Sequence, residues 1–273
     1  MTQNSEMTPE AADSPAPLVA AAQLIFEQPL NERMRTFLRL DFLYSQALHH
    51  NGGLTLWGSR AAVSSLLDII AIASRGDARG EVLKEVERQL ALLNEFQARP
   101  GVDTTRLRTL VSNLLRMRGE LMALGTTYLQ LLKESEFLSA IRHRSAIPGG
   151  TCDFDLPEYF HWLNQPAEQR AEAFSRWLEL LRPICDAIAE VLWLTRQNGQ
   201  VRHEVARGGV YHITFERDNP VQLLRIAMPA GSGIFPEISG SHYRSSVRFV
   251  SWTAGDKSRQ AEGDVLFQLT CCS

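Results

Sequence analysis

Arginine, more than lysine, carries the positive charge in two stretches of this sequence. Residues 105–144 hold Arg106, Arg108, Arg116, Arg118, Arg142 and Arg144 with Lys133, against Glu120, Glu134 and Glu136, a local charge of +4. Residues 191–253 hold Arg196, Arg202, Arg207, Arg217, Arg225, Arg244 and Arg248, against Glu204, Glu216, Asp218 and Glu237, a local charge of +3. A guanidinium is planar, permanently charged and forked, so it fits a carboxylate with two hydrogen bonds at once. The chemistry available to these stretches is therefore recognition of acidic groups. Arg244 and Arg248 are four apart, which on a strand places both on one side about 13 Å from each other and suits an extended acidic partner. Arg225, on a neighbouring strand, could add to the same face. An ordinary water-facing sheet with scattered arginines has the same spacing, and spacing alone weighs the two readings equally.

Signs of other chemistry are few. The sequence has no G-x-x-x-x-G-K-[ST], no G-x-G-x-x-G after a strand, no H-E-x-x-H and no G-x-S-x-G. Gly231-Ser232-Gly233 reads as a strand turn, since no helical pattern or lysine follows it. Adjacent Cys271 and Cys272 cannot together hold a tetrahedral metal without ligands from elsewhere. His49-His50 beside a glycine turn reads as a polar helix end, and Asp153 and Asp155 fit capping and turn chemistry as well as they fit paired carboxylates. The expectation is a protein that is not an enzyme and has no cofactor, metal or catalytic residue.

Composition bounds the setting. The 273 residues are 44% hydrophobic and 22% charged, enough to bury a core, and the formal charge of -3 is far from the strongly basic balance of a typical nucleic-acid binder. No apolar run is expected to reach the roughly 18 to 20 residues of a membrane helix, because Asp68 and Arg75 bracket Ile69 to Ala73. Residues 1–20, acidic and rich in proline and alanine without a basic segment before an apolar one, read as a disordered tail. Four unevenly spaced cysteines fit the cytoplasm better than a disulfide scaffold.

These side chains need elements to position them, and the pattern predicts an α+β protein, mainly helical over 21–197 and an antiparallel β-domain over 198–273. Asn31 reads as the N-cap of a first helix, with Met34, Phe37, Leu38, Tyr44, Ala47 and Leu48 on one stripe. A second segment runs from about Ser59 to Ser74, and a third carries Val82, Leu83, Val86, Leu90 and Leu93 until Pro100-Gly101. Asp103 reads as the cap of a long helix with Leu107, Leu110, Val111, Leu114, Met117, Leu121 and Leu124 inward and Arg106, Arg108, Arg116 and Arg118 outward. Pro157 and Pro166 mark the starts of two short helices, and Pro183 should kink or divide the stretch from Ala167 to Gln197. After Asn198-Gly199 the period becomes two. Tyr211, Ile213 and Phe215 form one strand face, Leu224, Ile226 and Met228 another, Tyr243, Ser245, Val247 and Phe249 oppose Arg244, Ser246 and Arg248, and Val265, Phe267 and Leu269 close the series. Turns are expected at Asp218-Asn219-Pro220, Gly231-Ser232-Gly233 and Gly255-Asp256. Leu24 to Glu27 is short enough to be a strand that could return to this sheet.

The run from Ile25 to Arg39 (Ile-Phe-Glu-Gln-Pro-Leu-Asn-Glu-Arg-Met-Arg-Thr-Phe-Leu-Arg) resembles the opening of the cell division protein ZapD family. Pro100-Gly101-Val102-Asp103, Ser145-Ala146-Ile147-Pro148-Gly149-Gly150, Phe154-Asp155-Leu156-Pro157, Leu223-Leu224-Arg225, Pro236-Glu237-Ile238-Ser239-Gly240, Arg248-Phe249 and Cys271-Cys272 continue the resemblance in order over about residues 24–272. It implies a non-enzymatic cytoplasmic homodimer at the mid-cell division site. Such a dimer binds the acidic C-terminal tail of the tubulin-like division GTPase FtsZ through a basic surface and bundles its filaments into the Z-ring before septation. By position, the residues implied for tail binding are Arg142, Arg144, Arg225, Arg244 and Arg248, with His143 and Arg196 weaker. Neither membrane nor nucleic acid is expected as a partner. The alternative is a nucleic-acid-binding protein using the same basic clusters, with Tyr211, Phe249 and Trp252 as stacking platforms. Two departures stand out: the first 20 residues or so extend past the family's usual start, and Ser241-His242-Tyr243 replaces a more basic stretch.

Overall fold

The computed structural model describes residues 22–51, 55–97, 101, 103–125, 127–216, 221–241, 243–255 and 257–273. The tail expected over residues 1–20 and the Asp218-Asn219-Pro220 turn lie outside the described residues, as do His242 and Asp256.

The chain opens on β1 (Gln23–Pro29) and continues through helices α1 (Glu32–Asn51), α2 (Leu56–Ala73), α3 (Ala78–Gln97), α4 (Thr104–Ala123), α5 (Gln130–Glu134), α6 (Glu136–Ser145), α7 (Pro157–Leu163), α8 (Ala167–Glu179) and α9 (Arg182–Gln197). Helix starts are set by local side chains. Asn31 Oδ1 accepts the Met34 N–H at 2.8 Å, and Asp103 Oδ1 accepts those of Thr105 and Arg106 at 3.0 and 3.1 Å, satisfying donors a helix leaves open. Thr55 caps α2 by accepting the Gly58 N–H, so this helix begins three residues before the expected Ser59.

With that extension α2 is 18 residues long and apolar enough to cross a membrane by length and composition, contrary to the expectation that no such run exists. Its apolarity has another use. Ala62, Val63, Leu66, Ile69 and Ile70 are buried with Met34 and Phe37 of α1, Val82 and Val86 of α3, Leu114 and Leu121 of α4, and Ile188 and Val191 of α9. A helix apolar on most sides is what a bundle centre needs. Pro183 does not kink a continuous helix. The break falls before it, between Glu179 and Arg182, which leaves Pro183 in the first turn of α9 where its missing N–H forfeits no helical bond.

The remaining strands are β2 (Gln200–Ala206), β3 (Val210–Thr214), β4 (Leu223–Pro229), β5 (Ile234–Gly240), β6 (Arg244–Ser251), β7 (Arg259–Gln260) and β8 (Val265–Cys272). They form two antiparallel sheets where the sequence suggested one. The first has the order β1-β4-β8-β2, and the second β3-β6-β5 with β7 on β6. β1 therefore joins the sheet as its edge, with Glu27 opposite Arg225. The facing sides make a second core, in which Leu224, Ile226, Phe267 and Leu269 of one sheet meet Ile213, Val247 and Phe249 of the other, and the Phe249 and Phe267 rings lie 4.9 Å apart. On the reverse of the first sheet, Leu223 and Cys272 pack into the helical core, so this sheet is shared by both cores. Gly199, at the turn from α9 into β2, makes the join possible, because a Cβ there would fall 2.3 Å from Thr270 Cγ2.

Candidate arginine interface

β6 lies at the centre of the second sheet, and its residues alternate between the core and an outer face. Ser245, Val247 and Phe249 are buried, while Arg244 and Arg248 stand outward. Register fixes their neighbours. Arg248 sits between Val210 and Glu237, Ser246 between His212 and Ser239, and Arg244 opposite Thr214. This outer face is polar throughout its middle. Arg248 donates from Nε to Glu237 Oε2 at 3.1 Å, an exposed pair worth roughly 0–1 kcal/mol. Arg244 is exposed and has no side-chain partner among the described residues.

Arg142, His143 and Arg144 are together on the last turn of α6, all exposed. Positive charge there complements the helix dipole, which is reason enough for a basic turn without any partner. Arg142 Nη2 lies 3.4 Å from Ser139 Oγ, and Arg144 forms a 3.4 Å ion pair with Asp155. The Ile147 N–H donates to the Arg144 carbonyl at 2.9 Å, which ties the following Pro-Gly-Gly turn to this helix end.

Arg196 and Arg225 are engaged inside the molecule. Arg196 grips Glu27 through Nε and Nη2 at 2.9 and 2.8 Å, and Arg225 Nε reaches the same carboxylate at 2.9 Å. Asp41 of α1 completes the group, 3.7 Å from Arg196. Burial works to raise the Glu27 carboxyl, but hydrogen bonds and charge from Arg196 and Arg225 outweigh it and hold the group below its ordinary 4.5. Asp41, with less guanidinium contact, is raised by burial and by the Glu27 charge beyond it. The hydrogen bond to Glu27 is the largest factor pushing Arg196 up. These four side chains fasten β1 and β4 to α1 and α9.

The sequence reading missed one surface feature. Trp57 and Arg60 of α2, Thr151 to Asp153 and Phe160 of α7 line an open groove of about 500 Å³. The Arg60 guanidinium sits 5.5 Å from the Trp57 ring and 5.1 Å from the Tyr159 ring, and donates to the Thr151 carbonyl at 3.0 Å. Burial pushes the Tyr159 hydroxyl up to about 12. Residues about 100 positions apart in the chain build this groove, so no local pattern announces it.

The stacking platforms imagined for a nucleic acid are largely spent. Phe249 is fully buried, and Tyr211 lies edge-on to Phe267 at 5.3 Å within the core side of its sheet. Trp252 alone of the three is well exposed. Among the described residues no group of three or more His, Cys, Asp or Glu could hold a metal ion.

Helical bundle, paired sheets and exposed arginines define an α+β protein with guanidinium groups on its outer surface. The chain belongs to the cell division protein ZapD family, whose model matches residues 38–248. It is 38% identical to cell division protein ZapD of Methylococcus capsulatus over 254 residues, covering 92% of this chain and 98% of that protein. It is also 38% identical to the Chromobacterium violaceum protein of the same name, over 90% and 98% of the two chains, and 36% identical to that of Pectobacterium carotovorum, over 93% and 99%. These relatives are named for cell division, and the role of this chain is in cell division.

Proposed function

We propose that the protein is a cytoplasmic, non-enzymatic factor that binds the acidic C-terminal tail of FtsZ and, as a homodimer, cross-links FtsZ filaments at mid-cell. The observation that carries this reading is the outer face of the second sheet, where, among the described residues, Arg244 has no side-chain partner and Arg248 is held by one exposed carboxylate. An incoming acidic segment can pair with the first directly and exchange with Glu237 for the second. Arg142 and Arg144 offer further exposed cations on α6, with His143 exposed between them. Arg196 and Arg225 act one step back, holding β1 and β4 in place through Glu27.

Weak single sites suffice for bundling. A dimer presents two copies of one site, and after one tail binds, the second binds at an effective concentration on the order of mM when linker length matches the span. Exposed charge contacts are screened over about 8 Å at physiological salt, so affinity falls as salt rises.

Fluorescence anisotropy with a labelled FtsZ tail peptide tests the site. Arg244→Glu should weaken binding at least tenfold at low salt with unchanged thermal unfolding, and wild-type affinity should fall steadily with added salt. Equal binding by Arg244→Glu and the wild-type protein would remove the sheet from the interface.

A further inference from the structure

Residues 1–21, which precede the described part of the chain, hold all of its net charge. They contain Glu6, Glu10 and Asp13 and no Lys, Arg or His. Taking these three from the 31 acidic residues leaves 31 − 3 = 28, equal to the 28 Lys and Arg of the remaining chain. The formal charge of -3 therefore belongs to this segment alone, and residues 22–273 are balanced.

The fold fixes where the segment joins. The Ala22 carbonyl accepts the Ala230 N–H at 2.7 Å, continuing the β1–β4 pairing past Gln23 and Pro229. Ala230 opens the short turn into β5, and β1 and β5, edge strands of the two sheets, lie against each other. The segment thus joins beside the edge of the arginine-bearing sheet, at the end where Ile234 is opposite Ser251. Three residues along β5, Glu237 is opposite Arg248, and six along, Gly240 is opposite Ser245, the neighbour of Arg244. At the strand rise this places Arg248 about 10 Å and Arg244 about 23 Å along the sheet from that end, to which the sandwich depth adds roughly 10 Å and a strand spacing roughly 5 Å.

Length and order both fit. Glu10 is twelve residues before Ala22 and Glu6 sixteen, so extended chain carries them up to about 40 and 53 Å. Glu6 and Glu10 are four apart, as are Arg244 and Arg248, and in each pair the member nearer the junction meets the nearer partner. The receiving face offers Arg244, without a side-chain partner among the described residues, and Arg248, held by exposed Glu237. A second copy of the same face would oppose like charges, whereas this segment brings the opposite sign. We infer that residues 6–13 dock in cis on the outer face of the second sheet, Glu10 at Arg248 and Glu6 at Arg244, and compete there with any acidic partner. Each exposed pair is weak, but tethering supplies the segment at an effective concentration on the order of mM, enough to fill a weak site. A partner's apparent affinity is reduced by the fraction of sites so occupied. The inference rests on the reading of this face as an acid-binding site and adds to it a brake built into the chain.

Fluorescence anisotropy on the full chain tests it with two labelled probes, a peptide of residues 1–21 and an FtsZ tail peptide. The proteins compared are wild type, the triple variant Glu6→Gln, Glu10→Gln, Asp13→Asn, and that variant with Arg244→Glu added. The triple variant should bind both probes about threefold to tenfold more tightly than wild type at low salt, a gain that misfolding does not produce. The difference should close as salt screens the contact, and Arg244→Glu should remove the gain for both probes. Equal binding of the 1–21 peptide by wild type and the triple variant, or a gain that survives Arg244→Glu, would overturn the inference. A difference that grows with protein concentration would place the segment on another copy and overturn the contact in cis. The two probes separate the proposals. Gain with the 1–21 peptide but no binding of the FtsZ peptide to any of the three proteins would defeat the FtsZ reading and leave the brake standing, and FtsZ-peptide binding equal in wild type and the triple variant would do the reverse.

Discussion

The two sheets turn opposite kinds of surface outward. On the second, Arg244, Arg248, His212, Thr214 and Ser239 face out around a fully buried inner row, whereas on the first, Ile25, Val201, Val205 and Leu266 do. Both sheets share one core, but only the first also packs its reverse side into the helical core. The first sheet is half covered by helices through Leu223, Cys272 and the Glu27 ion group, and its apolar character runs on past the edge of that cover. Among the described residues, the core cluster of the second sheet contains no helical residue, and its outer face carries Arg244 without a side-chain partner. The contrast is between a polar face carrying exposed guanidinium groups and one that mixes aliphatic side chains with His203 and Gln268.

The comparison can be broken most severely from inside. Phe249→Ala empties the space shared with Phe267 and should destabilise the protein by roughly 3–5 kcal/mol in urea unfolding, degrading both faces together. Glu27→Gln acts on the first sheet alone. It leaves half-buried Arg225 without its counter-charge and Arg196 with Asp41 alone, and should destabilise by roughly 2–3 kcal/mol near neutral pH, with tail-peptide affinity unchanged.

That variant also sharpens the pH dependence. Glu27 is held below 4.5, so its contribution is fully present above that value and is lost as pH falls through the lower folded value. Asp41 is shifted up from 3.8 and works in the opposite sense, disfavouring the folded state while charged and relaxing as it protonates. Wild type should lose stability on acidification below about pH 4.5 as Glu27 protonates, and Glu27→Gln should lack that loss; unfolding midpoints between pH 3 and 7 read the difference. The smallest expected effect is on the second sheet. Glu237→Gln frees Arg248 from its exposed pair and should strengthen tail binding about twofold to threefold, with stability changed by less than about 1 kcal/mol.

The helices were legible because their signals are local: Asn31 and Asp103 cap as their side chains demand, and inward residues such as Phe37, Val86 and Leu114 follow a helical period. The outward placement of Arg244 and Arg248 was legible for the same reason, since alternation along β6 depends on nothing distant. The second sheet was hidden by its partners. β5 carries Pro236, which argues against a strand unless the strand is an edge, and β5 is one. β2 reads Gln-Val-Arg-His-Glu-Val-Ala, too polar to announce itself, and its two valines gain meaning only beside Leu266. The engagement of Arg225 and Arg196 could not be read at all, because Glu27 lies 198 and 169 positions away along the chain.

The most direct test of the account is co-sedimentation with GTP-bound FtsZ filaments, comparing the wild-type protein, Arg244→Glu, and wild-type protein with FtsZ lacking its C-terminal tail. The account predicts that wild type pellets and bundles intact filaments and that both are lost in the other two samples. Pelleting that survives removal of the tail would contradict it.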